Sequence, residues 1–147
     1  MQDNQAKLRT DPLWKSTYSV VEHVYDKLEA IIEAFPDEKW ATATKLRNSA
    51  NDSMFYVAQA LGNATPETAK YDWNNARKYL FAMQSMYIFA GKQQFLAIDP
   101  EIVVKIDHII KEIDTKMTAS EQAAKQKDQE DMEPWLEKYR LWQKINS

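Results

Sequence analysis

Between Ala69 and Ala90 one apolar spacing holds for three heptads. Ala69, Trp73, Ala76, Leu80, Met83, Tyr87 and Ala90 follow at intervals of 4, 3, 4, 3, 4 and 3. That is the a/d seam of a helix packed against other helices. Phe81, Met86, Ile88 and Phe89 fall off the seam, so the second half of the stretch is apolar nearly all round. Such a helix is expected to be buried on more than one side, with Gly91 closing it. The chain has only two glycines and five prolines in 147 residues, too few for the turns of a β-sandwich or a doubly wound fold. The expected class is all-α.

Three further helices are legible around this one. Asp11-Pro12 reads as an N-cap carboxylate with proline at the first helical position. Trp14, Thr17, Val21, Val24, Leu28, Ile31 and Phe35 then recur at 3 and 4, widened by Tyr18, Tyr25 and Ile32, until Pro36 ends the run. Asp37-Glu38 opens a second helix with negative charge where the dipole favours it. Its inner seam is Ala43, Leu46, Ala50, Ser53, Val57 and Ala60, flanked by Met54, Ala58 and Leu61, with Gly62 as the C-cap. Thr65-Pro66-Glu67 starts the third helix. Residues 92–98 form a connection whose Phe95, Leu96 and Ile98 are expected to tuck against the core. Asp99-Pro100-Glu101 starts a fourth helix carrying Ile102, Val103, Ile106, Ile109, Ile110, Ile113 and Met117. Short connections predict an antiparallel up-down-up-down four-helix bundle over residues 11–117, after a flexible N-terminus at 1–10.

Residues 118–131 are polar without an apolar face, and read as an exposed continuation or a linker. Glu133-Pro134 is expected to restart structure. Trp135, Tyr139, Trp142 and Ile145 then recur at 4, 3 and 3, a C-terminal amphipathic helical tail. So short a helix is marginal alone, because isolated helices below about 12–15 residues do not hold in water. The tail is therefore expected to dock on the bundle, on a neighbouring subunit or on a partner.

Several function classes find no support in the residues. There are 19 basic and 22 acidic side chains, a net charge of −3, without the basic balance typical of nonspecific phosphate binding. The absence of cysteine removes disulfides, thiol catalysis and cysteine-based zinc sites. The polar start MQDNQAKLRT has no apolar leader segment, and no apolar run reaches the roughly 18–20 residues of a membrane span. A cytoplasmic protein is the expectation. His23 and His108 lack the Glu-x-x-His spacing of a di-iron bundle, since Val20 and Lys105 stand three residues before them. Ser16, Ser49, Ser53 and Ser85 sit mid-helix without a nucleophile elbow. Gly91-Lys92 has no glycine-rich phosphate loop. Glu22, Asp26, Glu29 and Glu33 read as a solvated acidic face. No catalytic residue, metal ligand or cofactor site is assigned.

What remains is binding. Lys45, Arg47, Lys70, Arg77, Lys78 and Lys92 are the candidate nucleic-acid contacts, with Tyr71 and Tyr79 interleaved as single-stranded RNA recognition can use. The aromatics Trp40, Phe55, Phe81, Tyr87, Phe89, Trp135 and Trp142 exceed what a four-helix core needs. Phe81, Ile88, Phe89, Trp135, Tyr139 and Trp142 are the candidate oligomer or partner interface.

Certain helix patterns also resemble a known superfamily. Phe35-Pro36, then Leu46-Arg47 with Ala50, then Val57-Ala58-Gln59-Ala60-Leu61-Gly62 resemble the small four-helix-bundle proteins named for 23S rRNA intervening sequences. Those typically carry LR, an alanine and an I-A-E-G-x-G stretch. Ala90-Gly91, Phe95-Leu96 and Asp99-Pro100-Glu101 resemble the accessory variability proteins of diversity-generating retroelements, from the same superfamily. The likeness covers roughly residues 13–117. It implies an antiparallel four-helix bundle assembling as a ring-like homopentamer, and in the retroelement branch a basic surface engaging a reverse transcriptase and its structured RNA. Gln59 and Ala60 stand where the pattern has glutamate and glycine. Met83 and Tyr87 stand where retroelement relatives carry arginine. Two readings follow: a non-enzymatic oligomeric adaptor for a protein or ribonucleoprotein partner, or a direct RNA or DNA binder.

Overall fold

A computed structural model of the chain describes residues 7–33, 37–63 and 65–147. Four long helices carry the fold: α1, Pro12–Glu33; α2, Asp37–Gly62; α3, Pro66–Lys92; and α4, Pro100–Ile145. The described residues hold no strand. The protein is all-α. The expected break at Phe35-Pro36, residues 1–6 of the N-terminus, and the side chains of Ile32, Asp37 and Glu38 lie outside the described residues.

The starts of α1 and α4 follow the expected chemistry. Asp11 Oδ1 accepts from the amides of Leu13 at 2.8 Å and Trp14 at 3.3 Å. Asp99 Oδ1 accepts from Glu101 N at 3.0 Å. Both satisfy first-turn amides that have no helical partner. Thr65 precedes α3 in extended backbone but makes no side-chain cap bond; its hydroxyl pairs with that of Thr68 instead.

The helix ends do not use glycine as expected. Neither glycine has a left-handed backbone, and among the described residues the one positive φ belongs to Gln94, at 62°. Gly91 lies inside the last turn of α3, which runs on to Lys92. A Cβ there would overlap Cγ1 and Cδ1 of Ile98. Gly91 is thus the place where the 93–99 connection folds back against α3. Phe95, Leu96 and Ile98 pack on the core, as expected.

Burial bears out the seams of α2, α3 and α4. Ala43, Leu46, Ala50, Val57 and Ala60 of α2 are buried, as are all seven α3 seam residues and five isoleucines of α4. The small residues of α2 let its backbone approach its neighbours closely. Buried Thr17, Ser49 and Ser53 donate to the carbonyls of Leu13, Leu46 and Ser49 at 2.8, 3.0 and 2.7 Å, so none is left unpaired. On α1 the expected Thr17, Val21, Val24, Leu28 and Ile31 are buried, and the exception is Trp14. Leu13 and Val20 are buried with them, while Trp14 is half-exposed and stacks on exposed Tyr18 at 5.2 Å. Each helix packs against two others: α1 on α2, α2 on α3, α3 on α4, and, more sparingly, α4 back on α1.

Past Met117 the chain takes the first of the two expected forms, an exposed continuation, and not a linker with a restart at Glu133-Pro134. α4 is one continuous helix of 46 residues, about 69 Å long at 1.5 Å per residue. Pro134 lies inside it. Proline removes one backbone bond and crowds the preceding turn. Here Ala, Glu, Gln and Lys dominate the surrounding positions, strong helix formers on both sides. Ser120 is the last buried residue, and every residue from Lys125 to Ser147 is exposed. α4 therefore passes the α2–α3 connection, where Asn63, Thr65 and Trp73 line a groove with Lys116, Ser120 and Ala123, and projects beyond it.

Candidate interaction surface

The projecting part of α4 carries the largest concentration of exposed apolar side chains. Trp135 is 77% exposed, Trp142 61% and Tyr139 55%, with Met132 and Leu136 beside them. At helical spacing these five make one stripe, and Tyr139 stacks on Trp142 at 6.3 Å. Ile145, one turn past Trp142 at the edge of the stripe, and Leu141, on the opposite side, are exposed as well. Of the three docking places expected for the tail, the protein's own core is not the one used. Met132 and Leu136 are absent from the sequence-derived candidates. A helix starting at Glu133 cuts off the first and gives the second no seam.

The second aromatic surface lies on α3. Phe81 and Phe89 are 40% and 45% exposed and Ile88 is half-buried. The expectation that α3 is buried on more than one side is thus not met within a single chain; one seam is buried and the other faces outward. Exposed Trp40 and Phe55, also counted as surplus aromatics, contribute to no core, whereas Tyr87 is fully buried.

The six candidate basic residues do not form one free surface. Lys70 Nζ lies 3.1 Å from Glu121 Oε1, and Arg77 Nε lies 2.7 Å from Asp114 Oδ1. Both carboxylates are on α4. The Arg77 N–H is not aligned for a hydrogen bond there, so the contact is electrostatic, and the guanidinium covers the Phe81 ring at 4.9 Å. Lys78 sits 5.3 Å from the centre of the Tyr79 ring. Lys45 and Lys92 are exposed and Arg47 half-buried.

Tyr79 belongs to an aromatic shelf between α2 and α3. It stacks on Tyr56 at 5.5 Å with the rings 5° apart, and Phe55 meets Tyr56 edge-on at 5.1 Å. Next to the shelf is an open groove of about 510 Å³ whose wall includes Phe55, Tyr56, Tyr71 and buried Asp72. Partial burial first, then the neighbouring tyrosines and the negative charges of Asp52 and Asp72, push the Tyr56 phenol up. The Asp72 carboxylate in the groove wall disfavours a phosphate there. Asn63 closes one end, donating to Asp72 Oδ2 at 2.9 Å and accepting from Thr68 at 2.7 Å.

The histidines take separate places. His23 Nε2 is 3.2 Å from the buried Tyr87 hydroxyl, which accepts from Asp99 N at 2.8 Å. Burial, and then Lys27, push His23 down against the opposing pull of Asp99 and Asp26. Burial likewise pushes Tyr87 up, with the bond from the Asp99 amide working against it. His108 is exposed, beside Lys105 and Glu112. Among the described residues no three His, Asp or Glu side chains converge as a metal site requires. Glu22, Asp26 and Glu29 are exposed, and no described helix is long and apolar enough to cross a membrane.

The chain matches no protein-family model, no curated protein and no solved structure. The resemblance to the intervening-sequence and retroelement accessory proteins therefore rests on the residues that carry it.

Proposed function

We propose that this chain is a non-enzymatic oligomeric adaptor that binds a protein or ribonucleoprotein partner. Its four helices are read as an antiparallel up-down-up-down bundle. In keeping with the resemblance, the assembly would be a homopentamer and the partner a reverse transcriptase of a diversity-generating retroelement. The observation that carries the reading is the projecting end of α4. Trp135, Tyr139 and Trp142 are all more than half exposed on a helix that extends past the packed core. Large aromatics mark protein contacts when left in water on a rigid element. Phe81 and Phe89 on α3 supply a second surface of the same kind.

Multi-angle light scattering of the purified chain tests the assembly directly, with a mass above the 17.2 kDa of one chain expected. A strict monomer at all concentrations would count against it. Co-purification with a reverse transcriptase encoded beside the gene tests the partner. The nucleic-acid reading has less support, because Lys70 and Arg77 are matched to carboxylates and the aromatic shelf is flanked by acids. It requires binding that weakens steeply with salt, since phosphate contacts release counterions.

A further inference from the structure

Beyond Lys125 and Lys127, from Asp128 onward, the charges along the projecting helix are sorted by sign. Between Asp128 and Glu133 there are four acids and no base: Asp128, Glu130, Asp131 and Glu133. Between Lys138 and Lys144 there are three bases and no acid: Lys138, Arg140 and Lys144. All seven are exposed. An isolated helix is favoured by acids near its N-terminus and bases near its C-terminus, but that effect is confined to the end turns. The acidic block lies mid-helix, more than 25 residues after the start of α4 at Pro100. Between and within the two blocks runs the stripe of Met132, Trp135, Leu136, Tyr139 and Trp142. An apolar stripe flanked by blocks of opposite sign is self-complementary under a two-fold rotation.

We infer that the projecting end of α4 pairs with the same segment of a second copy, antiparallel, with the two helices crossing near Leu136. In that register the acidic block of each helix lies along the basic block of the other. Met132 of one copy then lies within about one helical turn of Trp142 of the second copy, and Trp135 within about one turn of Tyr139. A parallel pair would set acid on acid and base on base, at a cost that coiled coils use to reject wrong partners. The apolar contribution is in the usable range. Six aromatic rings of about 150–250 Å² each, largely exposed beforehand, together with Met132 and Leu136 from each copy, approach the roughly 1,200 Å² at the lower end of specific interfaces. The pair is therefore concentration-dependent. This inference rests on the oligomeric reading above and adds a contact to it: a two-fold pair does not close inside a five-fold ring, so the tail joins copies from separate rings.

The absence of cysteine makes a clean test available in the full chain. Gln129 and Gln143 are exposed and lie symmetrically about Leu136. In the antiparallel pair they face each other across the copies. In a parallel pair they are 14 residues, about 21 Å, apart, far beyond the reach of a disulfide. Gln129→Cys protein mixed with Gln143→Cys protein should form a disulfide-linked dimer under mild oxidation, while each variant alone remains largely uncrosslinked. Cross-linking of each variant to itself, or no cross-linking in the mixture, overturns the inference.

Charge reversal gives an independent readout. The triple variant Lys138→Glu, Arg140→Glu and Lys144→Glu should lose self-association by at least tenfold in dissociation constant. Mixing it with the variant carrying lysine at Asp128, Glu130, Asp131 and Glu133 should restore a mixed pair. An unchanged mass for the triple variant, in a protein whose native form is oligomeric, overturns the tail pairing and leaves the oligomeric reading standing. A native protein that is a strict monomer overturns both.

Discussion

Tyr87 of α3 and His23 of α1 are joined across the core, with the phenol oxygen 3.2 Å from Nε2. The same oxygen accepts from Asp99 N at 2.8 Å, ahead of α4. One hydroxyl thus ties three segments at the end of α3 that receives the folded-back connection. Because the phenol oxygen already accepts from Asp99 N, its O–H is placed to donate to Nε2, which requires a neutral imidazole protonated on Nδ1. Tyr87→Phe keeps the packing of a fully buried ring but leaves the Asp99 amide without its acceptor. A loss of about 1–3 kcal/mol is expected, the usual cost of stranding a buried polar group. Urea denaturation monitored by helical circular dichroism measures it, and a variant as stable as the parent would show that water replaces the bond.

The same pair makes stability depend on pH. Burial, reinforced by Lys27, lowers the His23 pKa from its ordinary 6.5, against the raising influence of Asp99 and Asp26. Below about pH 6.5 the unfolded chain therefore binds a proton that the folded one resists. The contribution of His23 is complete above that pH and is lost as the pH falls through the lowered folded value. Urea midpoints should drop between pH 7.5 and pH 5 by more in the parent than in His23→Gln. Equal drops in the two proteins would remove His23 as the source.

Legibility from the sequence follows the strength of each local signal. The seams of α2, α3 and α4 are readable because alanine, leucine and isoleucine recur there without competition. On α1 the spacing admits either Trp14 or Leu13, and hydrophobicity alone does not say which of two adjacent apolar positions faces inward. At the helix ends glycine is a misleading cap signal, because Gln94 adopts the left-handed backbone and Gly91 admits Ile98. Pro134 is a misleading restart signal, because helix-forming neighbours carry the chain through it. The candidate interface aromatics are legible as a surplus. The pairing of Lys70 and Arg77 with α4 carboxylates is not, because it depends on which helices are neighbours.

The two glycines should respond in opposite directions to alanine. Gly91→Ala drives a methyl group into Ile98, and overpacking of this kind costs about 1–3 kcal/mol. Gly62 ends α2 without a positive φ, and a methyl group added there would meet open space. Gly62→Ala should be neutral or stabilise by up to about 1 kcal/mol, since alanine loses less backbone freedom in a helix. Combining Gly91→Ala with Ile98→Ala should cost less than the sum of the two changes, because the second removes the clash created by the first. Thermal or urea midpoints of the parent and these variants decide both points.

The two faces of α3 should separate folding from assembly. Met83 is fully buried on the inner seam, whereas Phe81 and Phe89 are 40% and 45% exposed on the other side. Met83→Ala leaves a cavity and should cost about 2–5 kcal/mol at any protein concentration. Phe81→Ala and Phe89→Ala remove rings that the single chain only partly covers, so at high dilution each should cost less than about 1–2 kcal/mol, a fraction of a full core truncation. If the outer face is an interface, the parent's unfolding midpoint rises with concentration by mass action, and the two phenylalanine variants lose that rise. Denaturation at micromolar and hundred-micromolar concentration, alongside light scattering, makes the comparison. A midpoint independent of concentration in the parent would leave the second aromatic face of α3 as surface and not as a contact between copies.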